Sequence, residues 1–202
     1  MKRVFLVGDS IRIGYDKYVK KALEGACEVT FPSGNCQFAE YLLRYLHIWK
    51  EQCCTGEPDL VHWNAGLWDV LRILGDGCLT PPDAYGAFIE KICCRCERIF
   101  PQAKIIFATT TPGGEGKISD IFERYNADIV RYNEIASEIV TRHGFGIDDL
   151  YTVVKNAPAA CYSDETHLYT PEGTTLTTNA VLRSVCGALE IPCPTFVYTE
   201  KL

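Results

Sequence analysis

Acyl transfer needs a nucleophile, a base and a group that orients the base, and this chain offers all three at its two ends. Near the start, Gly8-Asp9-Ser10 follows the apolar run Val4-Phe5-Leu6-Val7 directly. A continuous run of that kind reads as a strand buried on both faces of a parallel sheet. Ligands of open α/β sheets bind beyond the carboxyl ends of the strands, so a serine at that edge faces the crevice and is a candidate nucleophile. Its competing reading is a helix N-cap, since Ser and Asp both cap well and helical sequence begins near Asp16. Near the other end, Ser163-Asp164-Glu165-Thr166-His167 puts a carboxylate three residues before a histidine. A histidine can take a serine proton on one ring nitrogen while the other donates to a carboxylate that fixes tautomer and orientation. Glu165 is the alternative carboxylate.

A fourth group follows the apolar run Leu60-Val61-His62-Trp63. Asn64 falls at the carboxyl end of that strand, on the same rim as Ser10, with an amide available to a developing oxyanion. An asparagine there is also a common turn or cap residue. His62, inside the strand, reads as a hydrogen-bonded buried or pocket-edge histidine. His47 and His143 fall in helical sequence and read as solvated or packing residues.

A strand-end Gly8-Asp9-Ser10 combined with a late Asp164-x-x-His167 resembles the SGNH (GDSL) hydrolase family, and the resemblance runs from Gly8 to the helix after Gly173. It implies a flavodoxin-like, three-layer α/β/α sandwich with a central five-stranded parallel sheet. It also implies cleavage of a carboxylic ester through an acyl-enzyme, with Ser10 as nucleophile, His167 as base and Asp164 orienting His167, and with no cofactor. The oxyanion would be held by the N–H of Ser10, by Asn64 and by a backbone N–H from the loop after the second strand. In that loop, Pro32-Ser33-Gly34-Asn35-Cys36, Gly34 matches the family by residue type and Cys36 by its distance from Leu43 and Leu46, so both are candidates. The third family block, Gly-x-Asn-Asp, reads His62-Trp63-Asn64-Ala65 here, which keeps the asparagine and alters the loop around it. The Gly-x-Ser-x-Gly elbow of the larger α/β-hydrolase fold is absent. Asp9, Trp63, Trp68, Thr110 and Thr111 are expected at the substrate pocket. The two tryptophans flanking Asn64 could stack on a sugar, which would suit an acyl or acetyl ester of a carbohydrate, but their preferred reading is core or pocket wall. The alternative is a non-catalytic small-molecule or carbohydrate-binding module of the same fold.

Holding these groups on one rim requires alternating elements. Strand-like runs at residues 3–7, 27–31, 60–63, 104–109 and 144–147 alternate with helical patterns over 17–23, 38–50, 84–100, 118–142 and 171–189. That order is the signature of a parallel sheet covered on both faces. Ile121, Tyr125, Ile129, Tyr132, Ile135, Ile139 and Val140 recur at three or four residues, so the fourth helix is expected to cover the sheet. Pro112-Gly113-Gly114-Glu115-Gly116-Lys117 fails the phosphate-loop pattern, which needs Gly five residues before Gly-Lys and Ser or Thr after it. It reads instead as a flexible loop over the carboxyl edge of the sheet.

With 202 residues, 47% of them hydrophobic, the chain suits one domain over residues 1–202. A net charge of -6 without a basic cluster argues against nucleic acid and anionic membranes and fits a small-molecule ester. No apolar run approaches the roughly 20 residues of a membrane span, and the first one ends at Gly8 without a cleavage site. A cytoplasmic protein, with no membrane insertion, is the expectation. The eleven cysteines are odd in number and read as reduced thiols. Cys93 and Cys96 fall on the apolar face of a helix with Ile89 and Ile92, away from zinc-ligand spacing, and no metal is expected.

Overall fold

A computed structural model describes residues 1–199. In chain order the elements are β1 (Lys2–Val7), α1 (Ser10–Ile13), α2 (Asp16–Ala22), β2 (Cys27–Thr30), α3 (Ala39–Cys53), β3 (Leu60–Trp63), β4 (Arg72–Ile73), α4 (Pro82–Ile99), β5 (Lys104–Ala108), β6 (Gly116–Lys117), β7 (Phe122–Arg124), α5 (Asn126–Arg142), β8 (Gly146–Asp148), α6 (Leu150–Val154) and α7 (Pro171–Leu189). The main sheet has the parallel order β2-β1-β3-β5-β8, and helices cover both faces in a three-layer α/β/α sandwich. One helical layer is α3, α4 and α5 side by side, and α7 packs on α2 and α6 on the other face.

Apolar runs buried on both sides put β1 and β3 at the centre. Val4 to Val7 and Leu60 to Trp63 are all buried, which is why neither shows the alternation of a half-exposed strand. Val7 lies opposite Trp63, and the Asn64 N–H donates to the Val7 carbonyl at 3.0 Å. Gly8 and Asn64 therefore leave the sheet side by side. Truncating a core residue such as Leu6 to alanine should destabilise the protein by about 2–5 kcal/mol.

The fourth helix is shorter than its periodicity suggests. Residues 116–124 form an antiparallel hairpin: β7 pairs with β6 and β4 in a second, three-stranded sheet, and α5 begins only at Asn126. The Ser119 hydroxyl accepts the N–H groups of Ile121 and Phe122, a side-chain turn that competes with helix. Ile118 and Phe122, four residues apart, meet a cavity rather than the main sheet. The expected loop over residues 112–117 is likewise held, since Asn126 bonds both Gly113 and Glu115 and residues 116–117 are strand. The last strand begins two residues late because Gly144, at φ +71°, is the left-handed residue that ends α5.

All eleven cysteines are free, and Cys93 and Cys96 are buried on the apolar face of α4. His62 is fully buried with Nε2 2.9 Å from Asp148 Oδ2, a hydrogen-bonded core histidine. Among the described residues no helix is long and apolar enough to cross a membrane.

Candidate active site

The turn after β1 resolves the capping ambiguity of Ser10. Asp9 is the cap: its Oδ1 accepts the Ile11 N–H at 2.8 Å, which leaves Ser10 as the first residue of α1 with its hydroxyl free of that duty. Among the described residues the Ser10 N–H has no acceptor, as expected of a first helical donor. Asn64 Nδ2 donates to the same Asp9 oxygen at 2.8 Å. Burial raises the Asp9 pKa against those two hydrogen bonds. Gly8 cannot be replaced here, because a Cβ would lie 1.9 Å from Asn64 Oδ1.

Arg12, one turn further on, is 1% exposed and ion-paired with Asp16. It also donates to the carbonyls of Pro32 (3.0 Å) and Gly34 (2.5 Å) and to Gly8. It thereby ties the loop after β2 to the Ser10 turn.

On the opposite rim, residues 163–167 close into a tight ring: the Ser163 N–H and hydroxyl both donate to the His167 carbonyl. Asp164 Oδ1 accepts the backbone N–H groups of Thr166 (2.7 Å) and His167 (2.8 Å). The same carboxylate meets His167 Nδ1, at 2.8 Å for Oδ2 and 3.0 Å for Oδ1. Although burial opposes it, these hydrogen bonds hold the Asp164 pKa below the usual carboxylate value. The bond fixes the ring with its proton on Nδ1 and leaves Nε2 as an acceptor. The His167 ring stacks on Tyr169 (centroids 4.7 Å apart), whose hydroxyl donates to the Ser10 carbonyl at 2.5 Å. Helix α7 starts just beyond, capped by Thr170.

Ser10 and His167 border one cavity of about 490 Å³, with Asn35, Arg124 and Thr166 as its other polar groups. Leu67, Trp68, Leu71, Ile73, Ile118 and Phe122 give it apolar walls. Among the described residues no hydrogen bond joins the Ser10 hydroxyl to His167, a contact that commonly tightens only when substrate binds.

No family model matches the sequence, and no curated protein matches it. Solved structures match along nearly the whole chain. An acetyl xylan esterase aligns with 91% of this chain and 99% of its own at 19% identity and a TM-score of 0.71. A lipase/acylhydrolase from Enterococcus faecalis aligns with 93% of this chain and 96% of its own at 21% identity and a TM-score of 0.70. An acetylxylan esterase from Geobacillus stearothermophilus gives 91%, 94%, 18% and 0.68. The fold is that of the SGNH (GDSL) hydrolases.

Within the SGNH fold, several expected site residues lie elsewhere. The Cys36 N–H donates to the Gly8 carbonyl at 3.1 Å, so Cys36 is not a free oxyanion donor. As a rival nucleophile its thiol is pushed up to about 11 by burial. Gly34 opens on a different cavity, beside Lys20 and Trp49, and its neighbour Asn35 borders the Ser10 cavity instead. Trp63 is a core residue packed on Phe107, with ring centroids 4.9 Å apart, because both faces of β3 are covered; of the two tryptophans, Trp68 reaches the cavity wall. Thr110 is buried and its backbone is paired with Asn133, and Thr111 borders a small space behind His167. Asp9 and Asn64 are fully buried beneath the cavity rather than in its wall.

Asn35, Arg124, Thr166 and Tyr169 were not singled out in the sequence. Arg124 was hidden by the helical reading of its segment. Asn35 and Thr166 sit beside residues that were singled out. A larger cavity of about 520 Å³ lies at the amino edge of the sheet, near the ends of α3 and α4, away from Ser10. Glu90, Cys94 and His143 bring ligand atoms within 4.8 Å of one another. Both His143 nitrogens there hydrogen-bond to carboxylates, Glu97 at 2.7 Å and Glu90 at 2.8 Å, and so tie α5 to α4.

Proposed function

We propose that the protein is a serine esterase that cleaves a small carboxylic ester through an acyl-enzyme. The observation that carries this reading is the pairing across one cavity of Ser10, freed from capping by Asp9, with His167, whose Nδ1 is held by Asp164. Ser10 Oγ attacks the acyl carbon and its proton passes to His167 Nε2. The tetrahedral oxyanion collapses, the alcohol leaves with that proton, and the acyl group stays on Ser10. Water then gives its proton to Nε2 and attacks the acyl carbon; the carboxylic acid departs and Ser10 recovers its proton. The Asp164 carboxylate stabilises the imidazolium in both steps.

The proposed oxyanion donors are the Ser10 N–H and, although its side chain is covered in this structure, an amide hydrogen of Asn64 not used on Asp9, with Asn35 reaching the cavity from the loop after β2. Apolar walls favour an acyl or alcohol part with hydrocarbon surface. With Trp63 in the core, the aromatic rings a sugar would meet in the cavity wall are Trp68 and Phe122.

The test is hydrolysis of a panel of aryl and sugar esters of increasing acyl length by the wild type and Ser10→Ala. Turnover by the wild type and its loss in the variant are expected; undiminished turnover in Ser10→Ala would refute the reading.

A further inference from the structure

We propose that Arg124 is an anion receptor in this cavity, and that the ester cleaved there carries a carboxylate on the part of the substrate that reaches β7. The inference deepens the esterase reading and rests on it. Arg124 is only 7% exposed and borders the cavity shared by Ser10 and His167. Its Nη1 donates to Thr166 Oγ1 at 2.9 Å, and its Nε is enclosed without any acceptor. Among the described residues no carboxylate forms an ion pair with it. Arg12 is the internal comparison: more enclosed still, it has Asp16 as counter-ion and three backbone carbonyls as acceptors.

A buried guanidinium stays charged, and an enclosed charge without a counter-ion is strongly unfavourable unless something supplies one. Nothing in the cavity wall does. Leu71, Ile73 and Phe122 are apolar, so the missing anion must arrive on a largely hydrocarbon body. Asp9 and Asp164 act electrostatically on Arg124, opposing the downward pull of burial on its pKa. Neither of them forms an ion pair with it, and the cavity wall holds no lysine, so a single guanidinium is offered there, which suits one planar carboxylate better than a phosphate dianion.

The test uses matched pairs: the p-nitrophenyl half-ester of glutaric acid against p-nitrophenyl pentanoate for turnover, and the corresponding anilides, which are not esters, for calorimetric binding. After correction for uncatalysed hydrolysis, wild type should favour the acidic member in both by about 10- to 100-fold, the range of a charge-assisted pair. Arg124→Gln should bring both ratios close to one. Thr166→Val, which removes the strut and keeps the charge, should preserve most of the preference; if it erased the ratio as fully as Arg124→Gln, Arg124 would be a strut and the proposal would fall. Should Arg124→Gln not fold, a wild-type ratio near one in both assays overturns the proposal without any variant. Acid-selective anilide binding without turnover of any ester would sink the esterase reading and leave the receptor standing. Turnover without charge preference, with equal anilide binding, would do the reverse.

Discussion

The two rims of the cavity are built differently. On the Ser10 rim, Gly8, Asp9, Arg12 and Asn64 are buried, continuous with the central strands, and linked by hydrogen bonds that run into the sheet. On the His167 rim, the ring of residues 163–167 is partly exposed and is tied across the cavity by two side-chain bonds, Arg124 to Thr166 and Tyr169 to Ser10. A nucleophile and its oxyanion donors gain from a rigid seat, whereas residues that choose the substrate can vary on surface segments without disturbing the core. On this account catalysis belongs mainly to the first rim and the base, and selection to the hairpin that carries Arg124.

Three sets of variants would break or sharpen that contrast. The largest effect is expected on the His167 rim itself, where His167→Ala should lower kcat at least ~1,000-fold. Asp164→Ala should lose ~100-fold or more, while Glu165→Ala stays within about threefold, because among the described residues Asp164 is the carboxylate that meets His167 Nδ1. A crippled Glu165 variant would reverse the assignment of the carboxylate. Next comes Asn64→Ala, for which kcat should fall by roughly 100-fold with little change in KM, since an oxyanion donor acts in the transition state. A purely structural Asn64, supporting Asp9, would lower stability and leave the kcat of the folded fraction intact.

The smallest effect on turnover, and a clear one on stability, is expected at Asp69. Its carboxylate accepts the Ala39 N–H at the start of α3, and burial pushes its pKa up to about 7. The sign follows from linkage: below about pH 4 the group is neutral folded or unfolded, and its stabilising contribution is fully present. As the pH rises to about 7 the unfolded chain ionises first, and stability falls by up to ~1.4 kcal/mol per pH unit. Urea unfolding of wild type and Asp69→Asn at about pH 5 and about pH 8 checks this. The wild type should lose stability relative to the variant on going to the higher pH; a constant difference would mean that Asp69 is charged throughout.

The same contrast explains what could be read in the sequence. The main sheet, α7 and the Asp164-x-x-His167 pair were legible because apolar runs, a proline-led helix start and a three-residue spacing are local signals. The hairpin was not, because Ile121, Tyr125 and Ile129 carry on the helical period of α5 while Ser119 makes the turn. The wrong element hid Arg124. For Trp63 the sequence leaves core and pocket wall both open, because proximity to Asn64 cannot say which way a side chain of a strand buried on both faces points; the structure puts it in the core. Gly34 and Cys36 are two residues apart, and only their placement sets both aside: the Cys36 N–H is used on the Gly8 carbonyl, and Gly34 opens on another cavity.

The central claim is that Ser10 is an activated nucleophile, and covalent labelling tests it most directly. A fluorophosphonate probe, incubated with the folded protein and mapped by peptide mass analysis, should label Ser10 and no other residue, with labelling lost in Ser10→Ala and slowed in His167→Ala. Label on one of the cysteines, or none on a folded protein, would contradict the account.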